Sequence, residues 1–210
     1  MLVLFLFIKE RLFFTSFLLL LFFYNFFRFF MGGFFSSLWA KWFGPGETKV
    51  IFLGLDNAGK TTIVYKLAVG EAVATTPTVG SNVEEFTNRG IHYVAWDIGG
   101  QETLRDAWST YFSGARVLVF VVDSTDRARI SVARDALHRV LADDVLANAC
   151  VLVLANKQDV KGAMTAAEIS CEFALHELKS HEWHIEACCA LTGQGLNEGL
   201  EWVAQSLSKK

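Results

Sequence analysis

An apolar run at residues 49–53 leads without a spacer into Gly54-Leu55-Asp56-Asn57-Ala58-Gly59-Lys60-Thr61. That junction restricts the fold more than any other feature of the chain. The spacing of two glycines, a lysine and a threonine matches a phosphate-binding loop, which requires a strand before it and a helix after it. Glycines let the backbone turn so that amide hydrogens face phosphate oxygens, and the following helix offers its N-terminus. Lys60 is then placed for the β and γ phosphates, and Thr61 for Mg²⁺. The loop alone points to a nucleotide and leaves the base open.

The rest of the body alternates in kind. Strands are predicted at residues 91–96, 117–122, 150–155 and 183–188, and helices around 129–141, from near Thr165 and from Leu196. Helices between apolar strands predict an α/β domain with a mainly parallel sheet. Ligands in such sheets bind beyond the carboxyl ends of the strands. Gly54, Asp97, Asn156 and Cys189 each stand just past such an end, so four segments converge on one rim.

Each segment has its own chemistry. In Trp96-Asp97-Ile98-Gly99-Gly100-Gln101, the Asp97 carboxylate can hold Mg²⁺ through water and the Gly100 amide can reach the γ phosphate. Gln101 is placed to orient an attacking water as the catalytic residue of hydrolysis. An ordinary turn is the alternative for this motif taken alone. In Asn156-Lys157-Gln158-Asp159, the Asp159 carboxylate can accept from the ring N–H and exocyclic amine of guanine, groups that adenine does not offer. Lys157 would lay its stem over the base, and Asn156 would tie this loop to the phosphate loop. Cys189 and Ala190 complete the pocket, with the Ala190 amide facing the guanine carbonyl. These segments select GTP and GDP over ATP.

A formal net charge of −3 and a pI near 6.0 give no basic excess, so no nucleic-acid partner is expected. The four cysteines, Cys150, Cys171, Cys188 and Cys189, lack metal-ligand spacing and suit reduced thiols in the cytosol. His181 and His184 read as packing and surface residues in place of a metal pair.

The N-terminus differs in composition. Eleven of the nineteen phenylalanines precede Met31. Residues 12–27 carry no charge, yet this run falls short of the ~20 residues a spanning helix needs. Three readings stand for residues 1–30: a short or tilted membrane segment, a signal peptide, or a stretch that is not made, since translating a pyrimidine-rich leader yields this composition. Residues 31–46 form a separate unit. Phe34, Phe35, Leu38, Trp39, Trp42 and Phe43 recur at helical spacing on one half of a helix, and Gly44-Pro45-Gly46 ends it. The unit reads as an amphipathic arm for a membrane lipid surface, a core-packing helix being the alternative. The GTP-binding domain is expected at 47–210.

Residues 31–210 resemble the ADP-ribosylation-factor-like small GTPases, and are most similar to the branch called ADP-ribosylation factor-like protein 5. The resemblance is carried by Gly54 through Thr62, Pro77-Thr78-Val79-Gly80-Ser81-Asn82-Val83-Glu84-Glu85, the Trp96 to Gln101 motif, Ala155 through Asp159, and Trp183-His184-Ile185. Ser81 replaces the phenylalanine of most relatives. The resemblance implies a six-stranded mixed sheet with helices on both faces, preceded by an N-terminal amphipathic helix. It implies that Leu55, Asp56, Asn57, Ala58, Gly59 and Thr62 line the nucleotide with the residues above, and that Thr78 ligates Mg²⁺ and senses the γ phosphate. Asp56 would disfavour extra negative charge there, and no arginine is marked as a finger, so unaided hydrolysis would be slow. An exchange factor, an activating protein and a membrane-tethering effector are the implied partners. The implied setting is the cytoplasm and, reversibly, trans-Golgi membranes in vesicle traffic. Met31-Gly32-Gly33-Phe34-Phe35-Ser36 fits N-myristoylation of Gly32 if Met31 is the start. Two other classes are weighed: an ATPase or kinase, which has no use for Asn156 to Asp159, and a nucleotide-locked membrane adaptor with negligible turnover.

Overall fold

The computed structural model describes residues 47–73 and 75–209. The hydrophobic extension at 1–30 and the arm at 31–46, with Gly32, lie outside the described residues.

Among the described residues six strands are formed in chain order: β1 (Thr48–Leu53), β2 (Ser81–Asn88), β3 (Ile91–Ile98), β4 (Val117–Asp123), β5 (Cys150–Asn156) and β6 (Trp183–Ala187). They pair in the order β2-β3-β1-β4-β5-β6, and only β2 runs antiparallel to its neighbour. The α-helices among the described residues are α1 (Lys60–Val69), α2 (Ile130–Leu141), α3 (Ala166–Glu172) and α4 (Leu196–Ser208).

Strand side chains alternate between two cores. Ile51, Leu53, Leu118, Phe120, Val151 and Val153 face Leu137 and Val140 of α2 and Ile169 of α3. Val50, Phe52, Val117, Val119, Leu152 and Leu154 face Ile63 and Val64 of α1 and Leu200 and Val203 of α4. Because both faces are covered, β1, β4 and β5 read as continuous apolar runs. β2 lies at the sheet edge with one face open and the other packed towards α1, so exposed residues alternate with partly buried ones and with the buried Phe86. It turns into β3 through Arg89 and Gly90, both at positive φ, as a two-residue hairpin that follows the twist of the strands requires.

Several boundaries differ from the sequence reading: β4 runs on to Asp123, β5 to Asn156, which therefore ends its strand and does not follow it, and β6 stops at Ala187. β3 continues through Ile98, because Asn82 and Ser81 of β2 pair with Asp97 and Ile98; Asp97 therefore lies inside the strand and not past its end. α2 starts at Ile130 after a single 3-10 turn, Arg127–Arg129, whose first amide partner is the Asp126 side chain. Residues Glu102–Tyr111 form a run of 3-10 turns that the sequence pattern did not mark. Among the described residues no helix is long and apolar enough to cross a membrane.

The chain leaves β1 towards β3 on one side of the sheet and β4 on the other. The loop after β1 thus sits at a switch point of the topology, where open α/β sheets bind their ligands.

Candidate functional site

The loop after β1 packs so closely that glycine is required both in it and against it. A Cβ on Gly59, at φ 93, would run into the Asn156 side chain. A Cβ on Gly100 would run into the backbone of Gly54 and Leu55, so the segment carrying Gln101 lies directly on the loop. That segment is pinned from outside: Trp108 Nε1 donates to Gly99 O at 3.0 Å and Arg105 Nε to Gly100 O at 3.1 Å.

Lys60 is 6% exposed, and its Nζ donates to Leu55 O at 2.8 Å and Gly54 O at 3.1 Å. Burial pulls its ammonium down to about 8, against the carboxylates of Asp97 and Asp56, which raise it. A buried cation held by two carbonyls is available to a stronger anion.

Thr61 Oγ1 lies 2.6 Å from Asp97 Oδ2 and 3.0 Å from Thr78 Oγ1, and Thr78 Oγ1 is 3.4 Å from the same carboxylate oxygen. Asp97 is fully buried, and burial pushes its carboxyl up, while the Thr61 hydroxyl, the Lys60 charge and Thr78 hold it down. Its other oxygen, Oδ1, has no hydrogen-bond partner. An orphaned buried carboxylate oxygen beside two hydroxyls is a donor set for a hard cation, and Mg²⁺ fits it.

At the opposite end, Asn156 closes β5 and joins three segments. Its Nδ2 donates to Ala58 O at 2.8 Å, and its Oδ1 accepts from Ala190 N at 2.9 Å. The tie between this loop and the phosphate loop is thus formed as expected from sequence. The Ala190 amide differs: it is engaged by Asn156, which draws the turn after β6 onto β5. Cys189 does not line the cleft; it is 2% exposed and shapes the turn through its own backbone bonds with Gly193 and Gln194. Burial, with Cys189 and Glu186 beside it, pushes the neighbouring Cys188 thiol up to about 12.

Between these ends runs one cleft of about 590 Å³. Asp56, Asn57, Gly59, Lys60, Thr61 and Thr62 form its floor; Thr78, Gly100 and Gln101 close one end, and Asn156, Lys157, Asp159 and Ala190 the other. Gly54, Leu55, Ala58 and Asp97 support it from behind. Thr75, Thr76 and Pro77 also line it.

Asp123, the last residue of β4, was not singled out by sequence. Lys157 Nζ lies 2.6 Å from its Oδ2, while the amide and hydroxyl of Thr125 bind its Oδ1. Burial would raise this carboxyl, but Lys157 and Thr125 together hold it below the ordinary range. Gln158 likewise braces the loop from behind, donating to Ser124 Oγ and Met164 O. The strand-end argument applied to β4 would have found Asp123.

Asp56 departs from expectation as well. Its carboxylate does not stand alone in the phosphate loop, because Arg129 Nη1 contacts both of its oxygens, at 3.0 and 3.1 Å, and Arg105 approaches to 3.7 Å. The two arginines compensate the negative charge that the sequence reading assigned to it.

Comparison with known proteins agrees with this geometry. The model of the ADP-ribosylation factor family matches residues 35–207. The chain is 54% identical over 177 residues to ADP-ribosylation factor-like protein 5A of Bos taurus, a match covering 84% of this chain and 98% of the relative. It is 53% identical to the Homo sapiens protein over the same span, and 49% identical over 175 residues to ADP-ribosylation factor-like protein 5 of Dictyostelium discoideum, covering 83% and 96%. Among solved structures it resembles the Arl6 BBS3 small GTPase from Trypanosoma brucei with bound nucleotide analogue GppNp, at TM-score 0.73 and 33% identity, over 78% of this chain and 98% of that one. The chain therefore belongs to the ADP-ribosylation factor family, alongside the factor-like 5 proteins, as a small GTPase that binds GTP or GDP with Mg²⁺ and hydrolyses GTP.

Proposed function

We propose that the cleft between Lys60 and Asp159 holds the guanine nucleotide end to end, and that the chain uses it as a membrane-recruited switch in vesicle traffic at the Golgi. The carrying observation is the placement of a buried cation and an oxygen cluster at one end of the cleft and the Asn156 to Asp159 loop at the other.

In this reading Lys60 neutralises the β and γ phosphates, and Thr61, Thr78 and Asp97, the last through water, would hold the metal. Mg²⁺, when bound there, would supply charge stabilisation to the phosphates. Gly100 presents its amide to the γ phosphate, and Gln101, exposed at the cleft edge, orients the attacking water. Asp159 reads the guanine ring N–H and exocyclic amine. Asn156 holds the reading loop against the phosphate loop, and Lys157, anchored on Asp123, covers the base.

The test is a change of base. In Asp159→Asn the carboxylate becomes an amide whose N–H₂ can donate to the 2-oxo group of xanthine. GDP binding should fall by roughly 100-fold or more, since a buried donor is left unpaired, and xanthosine diphosphate should bind in its place. Unchanged preference for GDP would remove Asp159 from the base site.

The membrane part of the proposal rests on the Phe and Trp face of residues 34–43 and on the Met31-Gly32 start. One myristoyl chain gives marginal binding, about 10⁴ M⁻¹, so the arm would supply the second contribution. Exchange factor, activating protein and tethering effector are the corresponding partners. Intact mass of the protein from its own cells tests this: the expected product is myristoylated Gly32 to Lys210. A product that begins at Met1 overturns acylation and with it a nucleotide-dependent arm.

A further inference from the structure

An acidic residue in a phosphate loop is a contradiction in charge. The other polar side chains of the loop and of the first turn of α1 are an amide, a cation and two hydroxyls: Asn57, Lys60, Thr61 and Thr62. Asp56 would repel a polyanion, and it would repel a triphosphate more than a diphosphate. The surroundings of Asp56 resolve this. Arg129 Nη1 meets both carboxylate oxygens at 3.0 and 3.1 Å. Arg129 is itself fixed by Asp126, whose Oδ2 lies 2.6 Å from Nε and whose Oδ1 accepts from the Arg129 amide. Arg105, with 15% of its side chain exposed, stands 3.7 Å from Asp56 and donates to Gly100 O at 3.1 Å. Two carboxylates and two guanidiniums therefore form a neutral cluster spanning the loop after β1, the segment that carries Gln101, and the turn before α2.

We propose that Arg129, supported by Arg105, is a positioning residue that neutralises and holds the Asp56 carboxylate beside the phosphate cradle, and thereby sets the affinity of the cleft for GTP relative to GDP. The inference rests on the reading of this cleft as the nucleotide site. Asp126 places the guanidinium, the guanidinium places Asp56, and the field at the terminal phosphate follows from the pair. Removing Arg129 leaves Asp56 with Arg105 alone, at a longer distance, and adds about one negative charge to the region that a γ phosphate enters. GDP lacks that group and feels the change less. With side-chain exposures of 37% for Arg129 and 40% for Asp56, solvent and salt screen the interaction, so its effect belongs at low ionic strength.

The experiment uses the full chain with Mg²⁺ and compares dissociation constants for GDP and a non-hydrolysable GTP analogue. Wild type, Arg129→Gln, Arg129→Lys, Asp56→Ala and the Arg129→Gln/Asp56→Ala pair are measured at low and high salt. In Arg129→Gln the affinity ratio of GTP analogue to GDP should fall about threefold to tenfold at low salt, and much less at about 1 M salt. Arg129→Lys should keep most of the ratio, because charge and not shape sets it. The double variant should return to the wild-type ratio, since the carboxylate that Arg129 restrains is gone. Equal weakening of both nucleotides in Arg129→Gln would mean a structural role and overturn the proposal, as would a double variant that keeps the loss. Wild-type protein that binds neither nucleotide would instead end the reading of the cleft itself.

Discussion

Asp123 closes β4 with only 10% of its side chain exposed, and Lys157 lies 2.6 Å away across the gap to the loop after β5. Burial by itself would favour the neutral acid, yet the ammonium and the Thr125 donors outweigh it and hold the folded-state pKa below the ordinary value. A carboxyl with a depressed folded pKa contributes stability that is fully present above its unfolded value, about 3.9, and is lost as pH falls through the folded one. Asp123→Asn should therefore destabilise the nucleotide-free protein at pH 7 by about 1.5 kcal/mol, the low end for a charged hydrogen bond at a partly exposed site. Its deficit against wild type should shrink as pH drops below about 4, where wild type protonates the same group. Denaturant titrations at pH 7 and in steps down to pH 3 would show this. A deficit that stays constant with pH would mean that packing, and not charge, makes the contact.

At the scale of the element, α3 shows how little sequence is needed to start a helix. Thr165 Oγ1 accepts from the Glu168 amide and Glu168 Oε2 accepts from the Thr165 amide, a reciprocal capping box. Thr165→Ala should lower the stability of the folded protein by about 1 kcal/mol, read from the denaturation midpoint with an unchanged slope. Such local signals made the strands and the helix starts legible. The buried runs of β1, β4 and β5 and the glycine pair of the phosphate loop each carry their conformation in adjacent residues. Glu102–Tyr111 does not. Its residues are mostly polar, and what holds the run in place is Trp108 and Arg105 reaching back to the carbonyls of Gly99 and Gly100. The same reason hides the partners of Asp56: Arg129 is 73 residues away in the chain, and no periodicity connects the two. The site residues that were legible lie in short motifs, and Asp123 stands at a strand end the same reasoning reaches, whereas Arg105 and Arg129 act through contacts that only the fold creates.

The whole molecule makes one further demand on its ligand. Lys60 and Thr61 follow β1, Asp97 lies in β3, Asn156 ends β5 and Ala190 follows β6, so the cleft draws on strands from the centre of the sheet and from its β6 edge. None of these groups shares a site in the unfolded chain, so a nucleotide that spans the cleft binds the folded state alone. Its stabilisation is then set by mass action and reaches about 4.1 kcal/mol at a thousandfold excess over Kd. For a domain of this size, each kcal/mol moves the midpoint by about 2–4 °C, which gives a rise of roughly 8–16 °C. Thermal unfolding with Mg²⁺ and saturating GDP should show that rise against the nucleotide-free protein. The same concentration of ADP should give almost none, because adenine lacks the N–H groups that Asp159 accepts and its Kd is correspondingly higher. Chelating the metal should remove part of the rise, since Thr61 and Asp97 then face the phosphates without the ion that reconciles them. Equal shifts with ADP would place the binding energy in the phosphate loop alone and leave the Asn156 to Asp159 loop without a role in choosing the base.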